Sequence, residues 1–240
     1  MSSPKFRTSV VVPCHNSRKF IEKTMGLLYS QLKADEELIL VENGSTDNTL
    51  AILNSTFGGG KLENVIVTQS EKGLGFAIKH GVELARGKTI VFMEDDLPFG
   101  LQELDLSRSL ETTGKYFILS KYHRSVGGFG LRRLQGLTFI LLREVVLRLN
   151  VKDSQATFLG DAIVVKKLAG FSNQIGFLVT LEFIALARKL GIEIVEIACV
   201  ALAKAIRPTT VKPRDVFQMF TGLFEIRRYL LNFYSEKFPE

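Results

Sequence analysis

Between residues 7 and 93, strand-like and helix-like stretches alternate without a break. Residues 7–13 (RTSVVVP) are a β-branched run stopped by proline, and 36–42 (EELILVE), 64–69 (NVIVTQ) and 88–93 (KTIVFM) are further short apolar runs. Asn16 or Ser17 can cap the segment after the first run, where Phe20, Ile21, Met25, Leu28 and Leu32 recur at helical spacing. Residues 49–57 and 75–87 also read as helical, the second with Gly87 as its stop. This alternation predicts an α/β fold, a parallel sheet with helices on both faces. Ligands of such sheets bind beyond the carboxyl ends of the strands. PCHN, ENGSTD and EDD all stand at strand carboxyl ends, so three polar clusters are expected on one rim.

The chain has 240 residues, enough for one large α/β domain or two small ones. No linker, repeat or low-complexity stretch divides it, so one domain over residues 1–240 is expected. The net charge of +6 suits a polyanionic ligand, a nucleic acid or an acidic membrane surface and chooses none of them. The basic residues form no aromatic-interleaved stripe, which disfavours nucleic acid. No G-x-G-x-x-G follows the first strand, which disfavours a dinucleotide-dependent oxidoreductase. Cys14 and Cys199 lie apart in apolar runs and are expected to be reduced, buried thiols. The start of the chain lacks a signal-peptide core, and no run of about 18 apolar residues exists to span a membrane.

The second half is less regular. Residues 115–122 read as a strand, 123–133 as a basic, glycine-containing loop, and 134–151 as a long apolar helix carrying Arg143 and Arg148. Residues 152–168 mix polar loop and strand, 178–191 are an amphipathic helix, 192–202 a strand, and 214–238 an aromatic-rich helix.

Glu94, Asp95 and Asp96 close the fourth strand. Three adjacent carboxylates repel one another and are costly to desolvate, so a cation is expected beside them. Mg²⁺ or Mn²⁺ takes oxygen ligands and is often shared between one or two carboxylates and substrate phosphates. A solvated acidic turn is the alternative.

Four ordered segments carry a resemblance: SVVVPCHN, ILVENGSTDNT, KGLGFAIKHGVELARG and KTIVFMEDDL, covering about residues 8–98. Together they resemble the family 2 glycosyltransferases, inverting enzymes of the GT-A fold, whose pattern runs V-V-I-P-x-Y-N, V-D-D-G-S-T-D-x-T, a glycine loop and D-x-D. Within that family, GLG at 73–75, SKYHRSVGGFGLRRLQG, VKDSQATF and FLVTLEFIALARKLGIEIVEIACV are similar to segments of the polyprenyl-phosphate sugar synthases, of dolichol-phosphate-mannose type.

The resemblance implies a Rossmann-like, mostly parallel sheet, with a nucleotide-sugar half over about 1–98 and an acceptor half over 99–240. Pro13, His15 and Asn16 would line the base and ribose, and the His15 ring, where the family often has Tyr, can stack on a base. Glu42 and Asn43 stand for the usual paired aspartates. Lys72 and Gly73 would approach the diphosphate, and so would Lys79 and Gly75, glycine permitting a close backbone approach. Glu94 and Asp96 take the metal positions, with Asp96 the main ligand and Asp95 between them on the nucleotide side. Pro98 stands where the synthases often have a metal-assisting Gln.

Asp153, with Gln155, and Glu182 match later polar positions. Either acid would serve as general base for a hydroxyl acceptor, and a buried Glu182 that caps a neighbouring loop is the alternative. Thr180 replaces the Asp two residues earlier. Lys121, Arg132 and Arg133 stand where the synthases hold the acceptor phosphate, and Arg pairs well with phosphate oxygens. The apolar helix after them fits a membrane interface, with Arg143 and Arg148 at head groups, or a core position.

The resulting expectation is a Mg²⁺- or Mn²⁺-dependent inverting glycosyltransferase. It takes a UDP- or GDP-linked sugar and a polyprenyl phosphate acceptor, in the cytoplasm and peripherally at the cytoplasmic membrane face. Two rivals remain: a glycan, protein or lipid hydroxyl acceptor, and a non-catalytic nucleotide-sugar-binding subunit. The departures at Glu42, Pro98, Leu159 and Thr180 motivate the second.

Overall fold

The computed structural model describes residues 4–60, 62–121, 131–151, 153, 157–202 and 213–237, without the side chains of 121, 131–137, 213–216 and 234–237. The first half reads β1 (Phe6–Cys14), α1 (Ile21–Ser30), β2 (Glu36–Glu42), α2 (Thr49–Thr56), β3 (Val65–Gln69), α3 (Leu74–Leu84) and β4 (Gly87–Phe92). The second half adds α4 (Gln102–Ser109), β5 (Lys115–Lys121), α5 (Leu131–Leu147), β6 (Thr157–Asp161), α6 (Ala162–Phe171), α7 (Val179–Lys189), β7 (Glu193–Cys199) and α8 (Pro213–Lys237).

All seven strands join one sheet in the order β3-β2-β1-β4-β6-β5-β7. β1 pairs in parallel with β2 and β4, and β2 with β3. β6 runs antiparallel between β4 and β5, and β7 pairs in parallel with β5. The sheet is therefore mostly parallel, as expected, with one reversed strand that the sequence pattern did not reveal.

Both faces of the central strands are covered, which is why these strands read as continuous apolar runs. Val11, Ile39, Val41, Ile90 and Phe92 face a core shared with α3, α6, α7 and α8. Val10, Val12, Leu38, Leu40 and Val91 face the opposite core with α1, α2 and α4. Cys14 and Cys199 are buried and in no disulfide.

Three local readings needed correction. Residues 162–171 form a helix, although Ile163-Val164-Val165 suggests a strand. Asp161 accepts a bond from the Ile163 N–H and so caps the segment, while Val164, Val165 and Leu168 bury one helical face. α5 begins at Leu131, inside the stretch read as a basic loop. Arg143 does not reach head groups: it is 1% exposed and donates to the Val151 carbonyl at 2.6 Å. Among the described residues no helix is long and apolar enough to cross a membrane.

At the amino end of the sheet, β2 opens with two fully buried glutamates. Glu37 accepts two bonds from the Arg86 guanidinium, at 2.9 and 2.6 Å, and another from Ser9. Glu36 accepts from Arg108 at 2.8 and 2.7 Å. Burial would raise the Glu36 carboxyl, but the Arg108 bonds and charge, with the Lys33 N–H, outweigh it and hold the group below its ordinary value of 4.5.

Breaking a buried, hydrogen-bonded ion pair costs roughly 3–5 kcal/mol. Glu36→Gln is therefore expected to lower stability near pH 7 by that order, in urea or thermal unfolding. A depressed pKa gives stability that is present above 4.5 and lost as pH falls below it. The gap between wild type and variant should accordingly narrow below pH 4.5. A constant gap would show that the pair carries no proton linkage.

Candidate active site

β1, β2 and β4 end on the same rim, and their exit loops are tied by hydrogen bonds. Asn43, 5% exposed, sits at the junction. Its N–H donates to the Cys14 carbonyl at 3.0 Å, and its Oδ1 accepts from the Gly73 N–H at 2.6 Å. Its carbonyl accepts from His15 Nδ1 at 2.8 Å. Asn16, at φ 52°, turns its Oδ1 to the Thr46 N–H at 2.8 Å, which leaves its amide NH₂ to face His15 Nε2 at 3.1 Å. Nε2 is then the acceptor and Nδ1 the donor, so the neighbours set the orientation of the His15 ring. The half-buried His15 ring stands at the rim, Asn16 is exposed, and Pro13 is buried within β1.

Glu42 is 3% exposed. It accepts from the Ser45 N–H and from Gln69 at 3.2 Å. Burial raises its carboxyl, but the bonds from Ser45, Gln69 and Gly44 prevail and hold it below the ordinary value. Asp47, one residue before the Asn48 N-cap of α2, accepts from the Thr49 N–H at 2.9 Å and the Arg18 N–H at 3.2 Å, and so ties the start of α2 to the β1 exit loop.

The acidic triplet divides its labour. Asp95 is 2% exposed, and its Oδ2 accepts from Ser17 Oγ and from the His15 N–H at 3.4 Å. It is turned inward and holds the β1 exit. Glu94 is exposed and Asp96 half-buried. The turn closes with the Leu97 N–H donating to the Glu94 carbonyl at 3.1 Å. Leu97 lies at φ 48°, a sparsely populated backbone region for a branched side chain, and is 3% exposed in the core below.

Gly73 and Gly75 do make close backbone approaches, but to the protein itself. A Cβ on Gly75 would lie 2.3 Å from the Gln174 carbonyl oxygen, and one on Gly73 2.5 Å from that of Ile175. The Lys72 side chain is exposed beside this turn. Lys79 is half-buried and donates to the Ser172 carbonyl at 3.4 Å.

The later candidates are not all brought to this rim. Glu182 is 1% exposed and accepts from Ser172 Oγ and from the Gln174 N–H at 2.9 Å, so it caps a loop from inside. The Asp153 N–H donates to Glu196 of β7 at 3.4 Å, which places Asp153 at the far side of the sheet from β1. The side chains of Lys121, Arg132 and Arg133, and the whole of Gln155, lie outside the described residues; Arg132 and Arg133 fall in the first turn of α5.

Glu103 had no sequence signal beyond its place after the acidic turn. It is fully buried in the first turn of α4 and accepts from Thr157 at 3.3 Å, while its Oε2 has no partner among the described residues. Burial pushes its carboxyl up to about 7, with the Glu94 charge adding to the rise. Burial, then the Glu103 charge, pushes the Cys199 thiol up to about 11.

Glu94 and Asp96 suit a hard divalent cation. Glu94 is exposed, one carboxylate oxygen of the half-buried Asp96 is shielded from solvent, and among the described residues no three His, Cys, Asp or Glu side chains come together to hold a metal. A cation there would take its remaining ligands from phosphate oxygens and water, as Mg²⁺ often does.

The fold and rim define a class before any sequence match is considered. The glucosyl-3-phosphoglycerate synthase of Mycobacterium tuberculosis, solved with UDP, superposes with a TM-score of 0.68 at 18% identity, covering 93% of this chain and 80% of that one. The mannosyl-3-phosphoglycerate synthase of Rubrobacter xylanophilus gives 0.63 at 16% identity, covering 98% and 77%. At such identities the likeness is one of fold, and the fold is GT-A.

The pattern of Glycosyl transferase family 2 matches residues 9–151, and the chain belongs to that family. A poly(ribitol-phosphate) beta-glucosyltransferase of Bacillus spizizenii is 34% identical over 103 residues, 41% of this chain and 16% of that protein. A PGL/p-HBAD biosynthesis glycosyltransferase of Mycobacterium bovis is 33% identical over 97 residues, 40% of this chain and 37% of that protein. The shared stretch is thus well under half of each relative.

The buried Glu103 acid generates a pH prediction opposite in sign to that of Glu36. Its carboxyl binds a proton more tightly folded than unfolded, so it lowers stability as pH rises from about 4.5 to about 7. Glu103→Gln removes that slope. Its gain over wild type should grow across this window and level off above it, at on the order of 3 kcal/mol or less. Equal unfolding midpoints at pH 5 and pH 8, relative to wild type, would refute the assignment.

Proposed function

We propose that the chain is an inverting glycosyltransferase that uses a nucleotide diphosphate sugar and a divalent cation. One observation carries this reading: the β1, β2 and β4 exits and the glycine turn are tied together by buried groups, with two more carboxylates at the same junction, the exposed Glu94 and the half-buried Asp96. The ties run through Asp95, Asn43 and Ser17. His15 and Lys72 stand at the solvent side of the same rim. The solved relatives include a synthase bound to Mn²⁺ and UDP-glucose, which supports the donor class.

In the proposed reaction an acceptor oxygen attacks the anomeric carbon from the face opposite the diphosphate. The bond from that carbon to the diphosphate oxygen breaks, and its electron pair leaves on the nucleotide. Glu94 and Asp96 would hold Mg²⁺ or Mn²⁺, which would neutralise that charge. Lys72 adds a positive side chain, and His15 offers a ring for the base.

The acceptor we propose carries a phosphate, in the first place polyprenyl phosphate. A phosphate oxygen is already ionised near neutral pH and needs no general base, whereas a hydroxyl does. This suits a site in which Glu182 is spent on a loop and Asp153 lies beside β7, away from the β1 exit. Leu141 and Val145 of α5, and Phe217, Phe224 and Leu231 of α8, are exposed apolar side chains that fit a peripheral contact with the cytoplasmic membrane face. A soluble phosphate acceptor is the second reading, favoured by the phosphoglycerate synthases among the fold neighbours.

Calorimetric titration with UDP and with GDP, each with and without Mn²⁺, tests the donor site. Wild type is expected to bind one of them in a metal-dependent manner, and Asp96→Ala to weaken that binding at least about tenfold without lowering the unfolding midpoint. Undiminished Mn²⁺-dependent binding by a folded Asp96→Ala protein would remove the metal assignment.

Co-sedimentation with vesicles tests the acceptor. Reversing the charges of Arg132 and Arg133, or changing Phe224→Glu, should reduce capture by vesicles bearing a polyprenyl phosphate. Unchanged capture by both variants would transfer the proposal to a soluble phosphate.

A further inference from the structure

The loop between α6 and α7 lies against the glycine turn that opens α3. The Gly75 N–H donates to the Ile175 carbonyl at 2.9 Å, and no Cβ fits between the two segments at Gly73 or Gly75. They meet backbone to backbone, so a shift of one displaces the other.

Little apolar burial holds this loop in place. Ile175 is 49% exposed and Phe177 39% exposed. Its anchorage is polar and comes from beneath. Glu182 Oε2, inside α7, accepts from Ser172 Oγ and from the Gln174 N–H. Lys79 of α3 donates to the Ser172 carbonyl from the other side. Burial raises the Glu182 carboxyl, against the bonds from Ser172, Gln174 and Asn173 and the Lys79 charge. Burial likewise lowers the Lys79 ammonium, with the Glu182 charge acting the other way. Both groups are thus tied to Ser172, Lys79 at its carbonyl and Glu182 at its hydroxyl.

We propose that Glu182 is a positioning residue for the donor site: through residues 172–175 it fixes the glycine turn and so sets nucleotide affinity, and it is not the general base. The linkage runs from the Glu182 carboxylate to the 172–175 loop and from the Ile175 carbonyl to Gly75. It continues from the Gly73 N–H to Asn43, where the strand exits meet. It rests on the donor-site reading given above. What the turn requires of residue 182 is an oxygen acceptor of the right reach. A charge that can take up a proton is not required.

Three variants separate the possibilities: Glu182→Met removes the acceptor at similar size, Glu182→Gln keeps an acceptor but abolishes basicity, and Ser172→Ala deletes one donor. Two readouts are used. The first is amide hydrogen exchange of residues 73–76 in the ligand-free protein, with α1 as reference. The second is affinity for UDP and GDP with Mn²⁺. Glu182→Met is expected to speed exchange at 73–76 about tenfold, leave α1 unchanged, and weaken the nucleotide that wild type binds by a similar factor. Glu182→Gln should restore both towards wild type. Ser172→Ala should move both in the direction of Glu182→Met, and stands in for it if that variant does not fold.

Unchanged exchange at 73–76 in Glu182→Met, or in Ser172→Ala where Glu182→Met does not fold, overturns the proposal. So does faster exchange with intact nucleotide affinity, the pattern of a base that plays no part in donor binding. A Glu182→Gln protein as impaired as Glu182→Met in both readouts would also overturn it. If wild type binds neither nucleotide while exchange still responds, the donor reading fails and the link from Glu182 to the turn stands.

Discussion

The rim depends on one buried amide. Asn43 receives the Gly73 N–H on its side chain, gives its own N–H to the end of β1, and offers its carbonyl to His15. Loops from three strands thus meet at a group with no net charge. Where the family pattern has a second aspartate, this amide joins the loops without adding a charge beside the buried Glu42. Each buried bond lost there would leave a donor or acceptor without water to replace it, which is the costly direction of the exchange.

The two ends of the sheet treat negative charge differently. At the amino end, Glu36 and Glu37 are buried and each is met by an arginine fork. At the carboxyl end, Asp95 is satisfied by Ser17 and backbone, while Glu94 and Asp96 stay at the solvent boundary. The first arrangement completes itself within the chain. The second invites a cation and a phosphate from outside, and that contrast gives the proposed site its polarity along the strands.

Much of this was legible in the sequence. The period changes between residues 7 and 93 follow directly from burial on two sheet faces and on helix stripes, so β1 to β4 and α1 to α3 were readable. The convergence of PCHN, ENGSTD and EDD followed from parallel topology alone. The split within EDD was not readable, because which of three adjacent carboxylates turns inward depends on Ser17, 78 residues away. α6 was misread because β-branched residues suit strands locally, and only the Asp161 cap and the neighbouring core decide otherwise. Glu103 was missed because a glutamate in a helix reads as solvated surface until tertiary packing buries it. Glu182 was seen, and both its readings were open; its neighbours in the 172–174 loop tell them apart.

Leu97 joins the acidic turn to the core. Its backbone occupies a region that costs a branched residue on the order of 1–2 kcal/mol, and its side chain is buried immediately after the outer carboxylates. A glycine there would relax the backbone but empty a buried site, and losing a buried leucine costs roughly 2–5 kcal/mol, more than the strain it relieves. The side chain thus holds its own backbone in place, and selection for heat resistance would keep the leucine and, with it, the shape of the acidic turn.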